Sequence, residues 1–223
     1  MQREITIDSR LFAVYPDIRL GVMQFRADVR EPSEDFWSYM RASVLPQARE
    51  AITGRQWGEI PGIRGSRAAY RAFGRDPARY RVSSEALLRR VRRGDEPYRI
   101  NSVVDVNNLI SIQSGLSVGS YDLDRIRGGI VFRKAEQGEG YTGIGKDFLD
   151  MSNLLVLADG DGIFGSTMSD STRTMVTAET KNVLTVIYCF ESGIDLGSLV
   201  DEAARAFSRF AGVSDVETRI IEE

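Results

Sequence analysis

The sequence predicts an α+β fold in which helices pack against a mixed sheet. Helical patterns and runs of β-branched and aromatic residues both occur, but they do not alternate regularly as in a doubly wound parallel sheet. The 223 residues are enough to bury a hydrophobic core. Because residues 1–223 contain no internal repeat, low-complexity tract or long Pro/Gly/Ser linker, we expect a single domain.

The first part of the chain predicts strands followed by helices. Mixed apolar and polar residues within 5–29 predict strands at 14–18 and 22–29. Capping and breaking residues then delimit helices at 34–53, 66–73 and 83–93. In the last of these helices, Ser83 is a candidate N-cap, Glu85 lies in the electropositive first turn and Gly94 follows the end.

The segment 101–130 has the clearest local pattern. Ser102-Val-Val-Asp105 resembles a capping box in which Asp replaces Glu, and apolar residues follow at helical spacing as far as Gly115. An acidic corner, Tyr121-Asp-Leu-Asp124, then leads to the start of a strand. Further along, we predict a helix at about 195–211 and strands at 129–134, 154–158, 163–167, 183–190 and 216–221.

Composition excludes several classes of chemistry. The chain has no histidine, so Ser-His-Asp and Cys-His nucleophile activation and imidazole metal sites are closed to it. A single cysteine, Cys189, excludes an internal disulfide, fits a reducing cytoplasm and lies in an apolar run that predicts a buried thiol. No apolar run approaches the roughly 20 residues that span a membrane, so we expect a cytoplasmic protein without membrane contact.

The charge of the chain is unevenly distributed. Residues 61–99 contain eleven arginines, no lysine and four acidic residues, a net charge of +7, whereas the rest of the chain carries −10. Such asymmetry is typical of a surface that faces nucleic acid. The alternative is that the arginines cover exposed helix faces and pair with local acids.

Two glycine-rich or acidic motifs are weaker than they look. Gly160 to Gly165 matches GxGxxG, but Ser166-Thr-Met-Ser-Asp-Ser171 does not resemble the helix that a dinucleotide site requires. Asp159-Gly-Asp161 lacks the later ligands of a calcium loop. We therefore interpret the segment as a turn between strands and expect no cofactor and no metal.

Two polar segments are candidates for binding. Asn107 and Asn108 are adjacent on a helix, so their side chains diverge by about 100° and cannot both face the core. Asp170 and Arg173 lie on a loop between strands, where binding groups are often held by a rigid sheet, although a plain solvated loop is the alternative.

These residues carry a family resemblance. Val103-Val-Asp-Val-Asn-Asn108 and Tyr121-Asp-Leu-Asp124, with residues 162–166 and 179–184, resemble the editing (B3/B4) domain of the phenylalanyl-tRNA synthetase beta subunit. The similarity covers about 60–190, and 1–59 and 191–223 would complete the same fold. The length leaves no room for a catalytic aminoacylation module, so the chain looks like a free-standing editing domain and not a complete synthetase.

The resemblance implies a pocket that receives the 3′ end of a misacylated tRNA and hydrolyses its ester. Asn107 and Asn108 fall on the family's threonine–asparagine pair, and Gly162 falls on a pocket glycine. Two positions depart from the family, because Gly119 replaces the pocket histidine and Val186 replaces the glutamate that recognises the wrong substrate's hydroxyl. An apolar or smaller amino acid than tyrosine is therefore expected.

The resulting hypothesis is a trans-editing deacylase that needs no histidine, because an aminoacyl ester is already reactive. Asp170 and Asn108 are the expected catalytic residues, with Asp170 pairing with the α-ammonium or orienting water. Substrate contacts are expected from Asn107, Asn108, Gly119, Tyr121, Gly162, Asp170 and Arg173, the last holding a terminal phosphate or ribose. The expected partner is tRNA and not DNA, bound by Arg89, Arg90, Arg92 and Arg93.

Two alternatives remain open. One is a non-catalytic module that binds an amino acid, a tRNA or a protein, which the loss of the family's histidine and glutamate favours. The other is a structural subunit whose arginine face docks on an acidic protein. The sequence leaves open which amino acid and which tRNA are recognised, as well as the oligomeric state.

Overall fold

The computed structural model describes residues 3–223. Its α-helices are α1 (Ser9–Phe12), α2 (Glu34–Tyr39), α3 (Leu45–Ile52), α4 (Ile63–Ala72), α5 (Ser83–Arg93), α6 (Ser102–Ser114) and α7 (Leu196–Phe210). Its strands are β1 (Ile5–Ile7), β2 (Arg19–Arg26), β3 (Ser117–Asp122), β4 (Ile130–Lys134), β5 (Gly140–Thr142), β6 (Phe148–Asp150), β7 (Leu155–Asp159), β8 (Gly162–Ser166), β9 (Asn182–Cys189) and β10 (Ser214–Ile221). In this part of the chain, no helix has both the length and the apolar character to cross a membrane.

The strands confirm the α+β class with a mixed sheet. The first sheet has the order β1-β4-β7-β8, with β1 parallel to β4 and the other neighbours antiparallel. The second sheet, β10-β2-β9-β3, is antiparallel throughout. Strands β5 and β6 form a separate hairpin.

The second sheet is the middle layer of the fold. Along β9, Val183, Ile187 and Cys189 pack into a core shared with α2, α3, α5, α6 and α7. The alternate residues Leu184, Val186 and Tyr188 pack into a core shared with the first sheet. Since successive side chains on a strand point to opposite faces, β9 is buried on both sides and its apolar run is nearly continuous.

The N-terminal elements correct two predictions. Residues 14–18 do not form a strand, because the chain enters the short helix α1 at Ser9 and turns before β2 begins at Arg19. The predicted helix at 34–53 is α2 and α3 joined by a π-helical segment, Met40–Val44. Pro46, in the first turn of α3, has no N–H to donate, which accounts for the irregular hydrogen bonding just before it.

The start of α6 lies one residue earlier than the capping-box prediction placed it. Asn101 is the N-cap, and its side-chain oxygen accepts hydrogen bonds from the backbone N–H groups of Val103 and Val104. Asp105 reaches back to the Ile100 N–H at 3.0 Å. Burial raises the Asp105 pKa to about 6, against the effect of this backbone hydrogen bond.

Strand β3 was not predicted. Its sequence, Ser117-Val-Gly-Ser-Tyr-Asp122, is short, polar and contains glycine, which is typical of a turn. It forms because β9 supplies a hydrogen-bonded partner along its whole length, from the Ser117–Tyr188 pair to the Asp122–Val183 pair.

One buried carboxylate organises the arginine-rich helices. Glu85, on α5, has a side chain that is 1% exposed and accepts hydrogen bonds from Arg67 at 2.8 Å and from Arg89 at 2.9 and 3.0 Å. The Arg81 guanidinium lies 3.6 Å from the same carboxylate. Glu85 therefore ties α4, the segment before α5 and α5 itself together through charge.

We predict that Glu85→Gln destabilises the fold by about 3 kcal/mol, since removing one partner of a buried ion pair leaves the others uncompensated. The measurement is the free energy of unfolding in urea. Glu96→Gln is the matched control, because Glu96 makes a similar 2.8 Å pair with Arg41 but is 44% exposed; its change should stay within about 0.5 kcal/mol. Equal losses of unfolding free energy in the two variants would contradict the idea that burial makes the Glu85 ion pairs important for stability.

Candidate functional site

Tyr121 is the residue through which the two four-stranded sheets meet. It projects from β3 toward the first sheet, is fully buried and packs edge-to-face on Phe164 with ring centroids 5.1 Å apart. Its hydroxyl lies where a side chain at Gly119 or Gly165 would begin, so a methyl group at either position would overlap it. The space beside Gly119, where the resemblance implies a histidine, is therefore filled by the Tyr121 ring.

The Tyr121 hydroxyl joins a buried hydrogen-bond network. It donates to Asp170 Oδ1 at 2.8 Å, and the Tyr188 hydroxyl lies 2.8 Å from it on the other side. Because Tyr121 has one proton and gives it to Asp170, Tyr188 must be the donor of the second bond. Burial raises the pKa of both phenols well above the ordinary value, so both remain protonated donors at neutral pH.

One carboxylate oxygen of Asp170 accepts hydrogen bonds from the protein, and the other accepts none within the part of the chain that the structure describes. Oδ1 accepts from Tyr121 and, at 3.2 Å, from the Ser166 backbone N–H. Oδ2 accepts no hydrogen bond from any group within residues 3–223, and the residue is partly exposed. Burial raises the Asp170 pKa to about 6, while the Tyr121 and Ser166 hydrogen bonds and the charge of Lys146 act in the opposite direction.

Loop and hairpin contacts fix Asp170 in place. Its carbonyl accepts from the Ile144 N–H at 3.0 Å, at the tip of the β5–β6 hairpin. The Tyr141 hydroxyl from that hairpin donates to the Ser169 carbonyl at 2.5 Å. On the other side, Tyr70 of α4 and Thr167 share a hydrogen bond of 2.6 Å between their hydroxyls.

Asn107 lies on the opposite face of β3 from Asp170. Its Oδ1 accepts from the Ser120 hydroxyl at 3.0 Å, and Ser120 in turn lies 2.6 Å from the Thr185 hydroxyl. Ser120 faces the helical layer, since Gly119 and Tyr121 face the first sheet. The neighbouring Asn108 is partly exposed and its amide makes no hydrogen bond within the described residues, so the prediction that the two side chains diverge is confirmed.

Gly162 and Arg173 lie at the other end of β8 from Asp170. Gly162 opens the strand with a φ of +115°, and Asp170 lies beside Ser166 at its end, about 13 Å further along an extended strand. Arg173 donates to both oxygens of Asp159 at 2.8 and 3.0 Å and to the Gly162 carbonyl at 3.3 Å. Gly160 and Asp161 form the predicted turn between β7 and β8.

The surroundings of Asp159 and Asp170 shift the pKa values of these two carboxyl groups in opposite directions. Burial acts to raise the pKa of Asp159, but the hydrogen bonds from Arg173 and from the Arg127 and Asp161 backbone outweigh it and lower the pKa. Asp170 has no arginine partner, and its pKa is raised. Asp159 is thus locked as an anion, whereas Asp170 can exchange a proton near neutral pH.

The four arginines of α5 make separate local contacts. Arg89 binds Glu85, Arg92 donates to the Ile52 and Arg55 carbonyls, and both guanidinium groups lie over the Trp57 ring. Arg90 lies over the exposed Tyr98 ring and donates to the Glu96 carbonyl. Arg93 pairs with Asp95 at 3.1 Å and is 64% exposed.

The two positions at which the resemblance implies a departure from the family are direct neighbours. Gly119 and Val186 are paired in register across β3 and β9. Sequence reasoning missed Tyr188, Ser120 and Thr185, although the alternation along 183–189 placed Tyr188 on the same face as Val186.

Comparison with known proteins assigns the chain to a family. Residues 65–218 match the B3/4 domain model, and the chain belongs to the B3/4 domain family. A phenylalanine–tRNA ligase beta subunit from Vibrio parahaemolyticus is 31% identical over 199 residues, covering 81% of this chain and 22% of that protein. One from Pectobacterium atrosepticum is 38% identical over 92 residues, covering 38% of this chain and 11% of that protein.

The chain therefore spans about a fifth or less of the length of these curated relatives. Among solved structures, an N-terminal fragment of the phenylalanyl-tRNA synthetase beta subunit from Pyrococcus horikoshii matches with a TM-score of 0.47 and 15% identity. That match covers 99% of this chain and 51% of the fragment.

We predict that Gly119→Ala destabilises the protein by about 1–3 kcal/mol, because the added methyl group forces the Tyr121 ring to move. Gly129→Ala is the control, since a Cβ there has no heavy atom within 4 Å. Urea unfolding measures both. Adding Tyr121→Leu to Gly119→Ala should recover part of the loss, so strictly additive effects would contradict the overlap.

Proposed function

We propose that this B3/4 domain hydrolyses the ester bond of aminoacyl-tRNA, as a free-standing editing deacylase. The observation that carries the proposal is the Asp170 carboxyl group, with Oδ1 held by Tyr121 and Ser166 and Oδ2 without a hydrogen-bond partner within residues 3–223. Its pKa of about 6 is close to the value that suits a general base working at neutral pH. The family's relation to phenylalanine–tRNA ligase beta subunits supports an aminoacyl-tRNA substrate.

The proposed reaction needs only one proton carrier. Asp170 Oδ2 takes a proton from a water molecule as the water oxygen bonds to the ester carbonyl carbon. The tetrahedral intermediate then breaks its bond to the ribose oxygen, and Asp170 returns the proton to that oxygen. The free amino acid and an uncharged tRNA leave, and the carboxylate is regenerated.

Asn108 is not assigned a contact with the ester at Asp170, because it lies on α6 on the helical side of the second sheet, whereas Asp170 lies on the side of the first sheet. Asn107 has a positioning role in the proposal, because its oxygen is used by Ser120. Arg173 and Gly162 are not assigned to the reaction, since Arg173 is held by Asp159.

The proposed substrate carries a small amino acid. Tyr121 fills the space beside Gly119, so a large side chain has no buried volume to enter there. Tyr121 would select among substrates by sterically excluding large amino-acid side chains, without a polar group that forms hydrogen bonds with the substrate side chain.

A non-catalytic binding module is the second candidate. It is favoured by the absence of both the histidine and the glutamate of the family at Gly119 and Val186. Such a module would be stabilised by its ligand, by RT ln(1 + [L]/Kd), yet leave an aminoacyl-tRNA intact. A panel of mischarged tRNAs separates the two, because only the deacylase shortens the lifetime of the ester.

We predict that Asp170→Asn lowers the rate of deacylation by about 10²–10⁴-fold, the usual contribution of a general base. In the unaltered protein, kcat/KM should rise with pH through an apparent pKa of about 6, and this rise should disappear in the variant. Deacylation of radiolabelled aminoacyl-tRNA measures both. Asp161→Asn, an exposed carboxyl in the β7–β8 turn, is the control and should keep the full rate.

The same variant should gain relative stability as the pH rises. Folding raises the Asp170 pKa from 3.8 to about 6, so the folded state binds more protons in this interval and loses stability as the pH increases through it. Asn at this position can keep both acceptor contacts and carries no charge. The melting temperature of Asp170→Asn relative to the unaltered protein should therefore be higher at pH 7.5 than at pH 4; an equal difference at both would contradict the proposed burial of charge.

A further inference from the structure

We propose that Arg67, Arg81 and Arg89, gathered around Glu85, form a binding site for an RNA phosphate group next to Asp170. We call these three side chains the Glu85 arginine cluster. The inference rests on the proposed function for its ligand, because that function supplies an RNA 3′ end. The site differs from the surface that the sequence predicted at the end of α5.

The cluster carries positive charge that the protein does not balance. Three guanidinium groups surround one carboxylate, which leaves a net charge of +2. Arg71 lies on the same side of α4 as Arg67 and has no ion-pair partner in the described part of the chain. Like charges held this close repel, so a bound anion would relieve the repulsion.

The guanidinium groups also have unused hydrogen-bond donors. Arg67 uses only Nη1, Arg89 uses Nε and Nη2, and Arg81 approaches Glu85 through Nε alone. Their side chains are 17%, 35% and 42% exposed, respectively. Planar donors that are fixed at one edge and open at the other match the geometry of a phosphate.

The cluster connects directly to the Asp170 loop. Ser83, two residues after Arg81, donates its N–H to the Thr167 carbonyl at 2.8 Å. Tyr70, on the same helix as Arg67, shares a hydrogen bond with the Thr167 hydroxyl. Ser166, the residue before Thr167, binds Asp170. The helices that carry the cluster are therefore joined by hydrogen bonds to the loop that carries the proposed general base.

The predicted surface at Arg90, Arg92 and Arg93 fits a phosphate less well. Arg92 is committed to two backbone carbonyls, and Arg90 to Glu96 and Tyr98. These residues also lie toward the far end of α5, which is about 16 Å long. Only Arg89 belongs to both groups.

The test is the affinity for uncharged tRNA, measured by fluorescence anisotropy, so that no hydrolysis is needed. We expect Arg81→Gln to weaken binding about tenfold, the usual scale for losing one charged hydrogen bond. We also expect it to lower the slope of log K against log salt by about one, with Arg81→Lys recovering part of both effects. Arg81 makes only a 3.6 Å contact, so the fold should be retained.

Arg41→Gln is the matched control, because Arg41 is also 42% exposed and also pairs with a glutamate. It should leave tRNA affinity unchanged. If Arg93→Gln weakens binding as much as Arg81→Gln, or if Arg81→Gln has no effect, the cluster is not the phosphate site.

Tight tRNA binding that inorganic phosphate displaces only at much higher concentration supports an RNA phosphodiester. Equal affinity for both would assign the cluster to free phosphate and overturn the RNA ligand.

Deacylation measured in the same variants separates this inference from the proposed function. Weakened tRNA binding in Arg81→Gln by a protein that never hydrolyses the ester would support the cluster and contradict the deacylase. Unchanged tRNA binding in Arg81→Gln by an active deacylase would contradict the cluster and support the deacylase.

Discussion

The packing of Tyr121 against Gly119 and Gly165 is the contact on which the candidate site depends. The two glycines belong to different sheets, and the absence of a side chain on each lets one phenol ring lie between the sheets. The ring brings its hydroxyl to Asp170, which is thereby fixed although it belongs to a loop. A single aromatic side chain thus joins the sheets and orients the carboxyl group.

Three buried or half-buried carboxylates in this fold have different electrostatic partners. Asp159 is neutralised by a two-point contact with Arg173, and Glu85 by three arginines. Asp170 receives a phenol and a backbone amide, which are dipoles and not charges. Because dipoles compensate a buried anion less completely than a cation does, burial raises the pKa of Asp170, whereas the contacts from Arg173 lower that of Asp159.

Sequence reasoning recovered most helices and the family, but it missed part of the site. The spans of α5 and α6 follow from local periodicity and from the glycine after each helix. Their N-caps are Val82 and Asn101 and not the predicted Ser83 and Ser102, and Val82 makes no side-chain capping hydrogen bond. Strand β3 depends on its partner β9, so a polar hexapeptide gave no local signal. Likewise, Asp170 was found as a loop carboxylate, whereas its bond to Tyr121 and the contact between Tyr121 and Gly165 join residues 44 to 49 positions apart. The separation of Asn107 from Asp170 follows from the two-residue period of β3, which could not be applied before that strand was known.

The packing of Tyr121 on Gly119 limits what can occupy position 119. Gly119 is paired in register with Val186, and the Tyr121 hydroxyl lies where a side chain on Gly119 would begin. A side chain at position 119 requires the ring to move, and moving the ring takes away the donor that holds Asp170. A change at this one position would therefore disturb both the packing between the two sheets and the setting of the Asp170 carboxyl group.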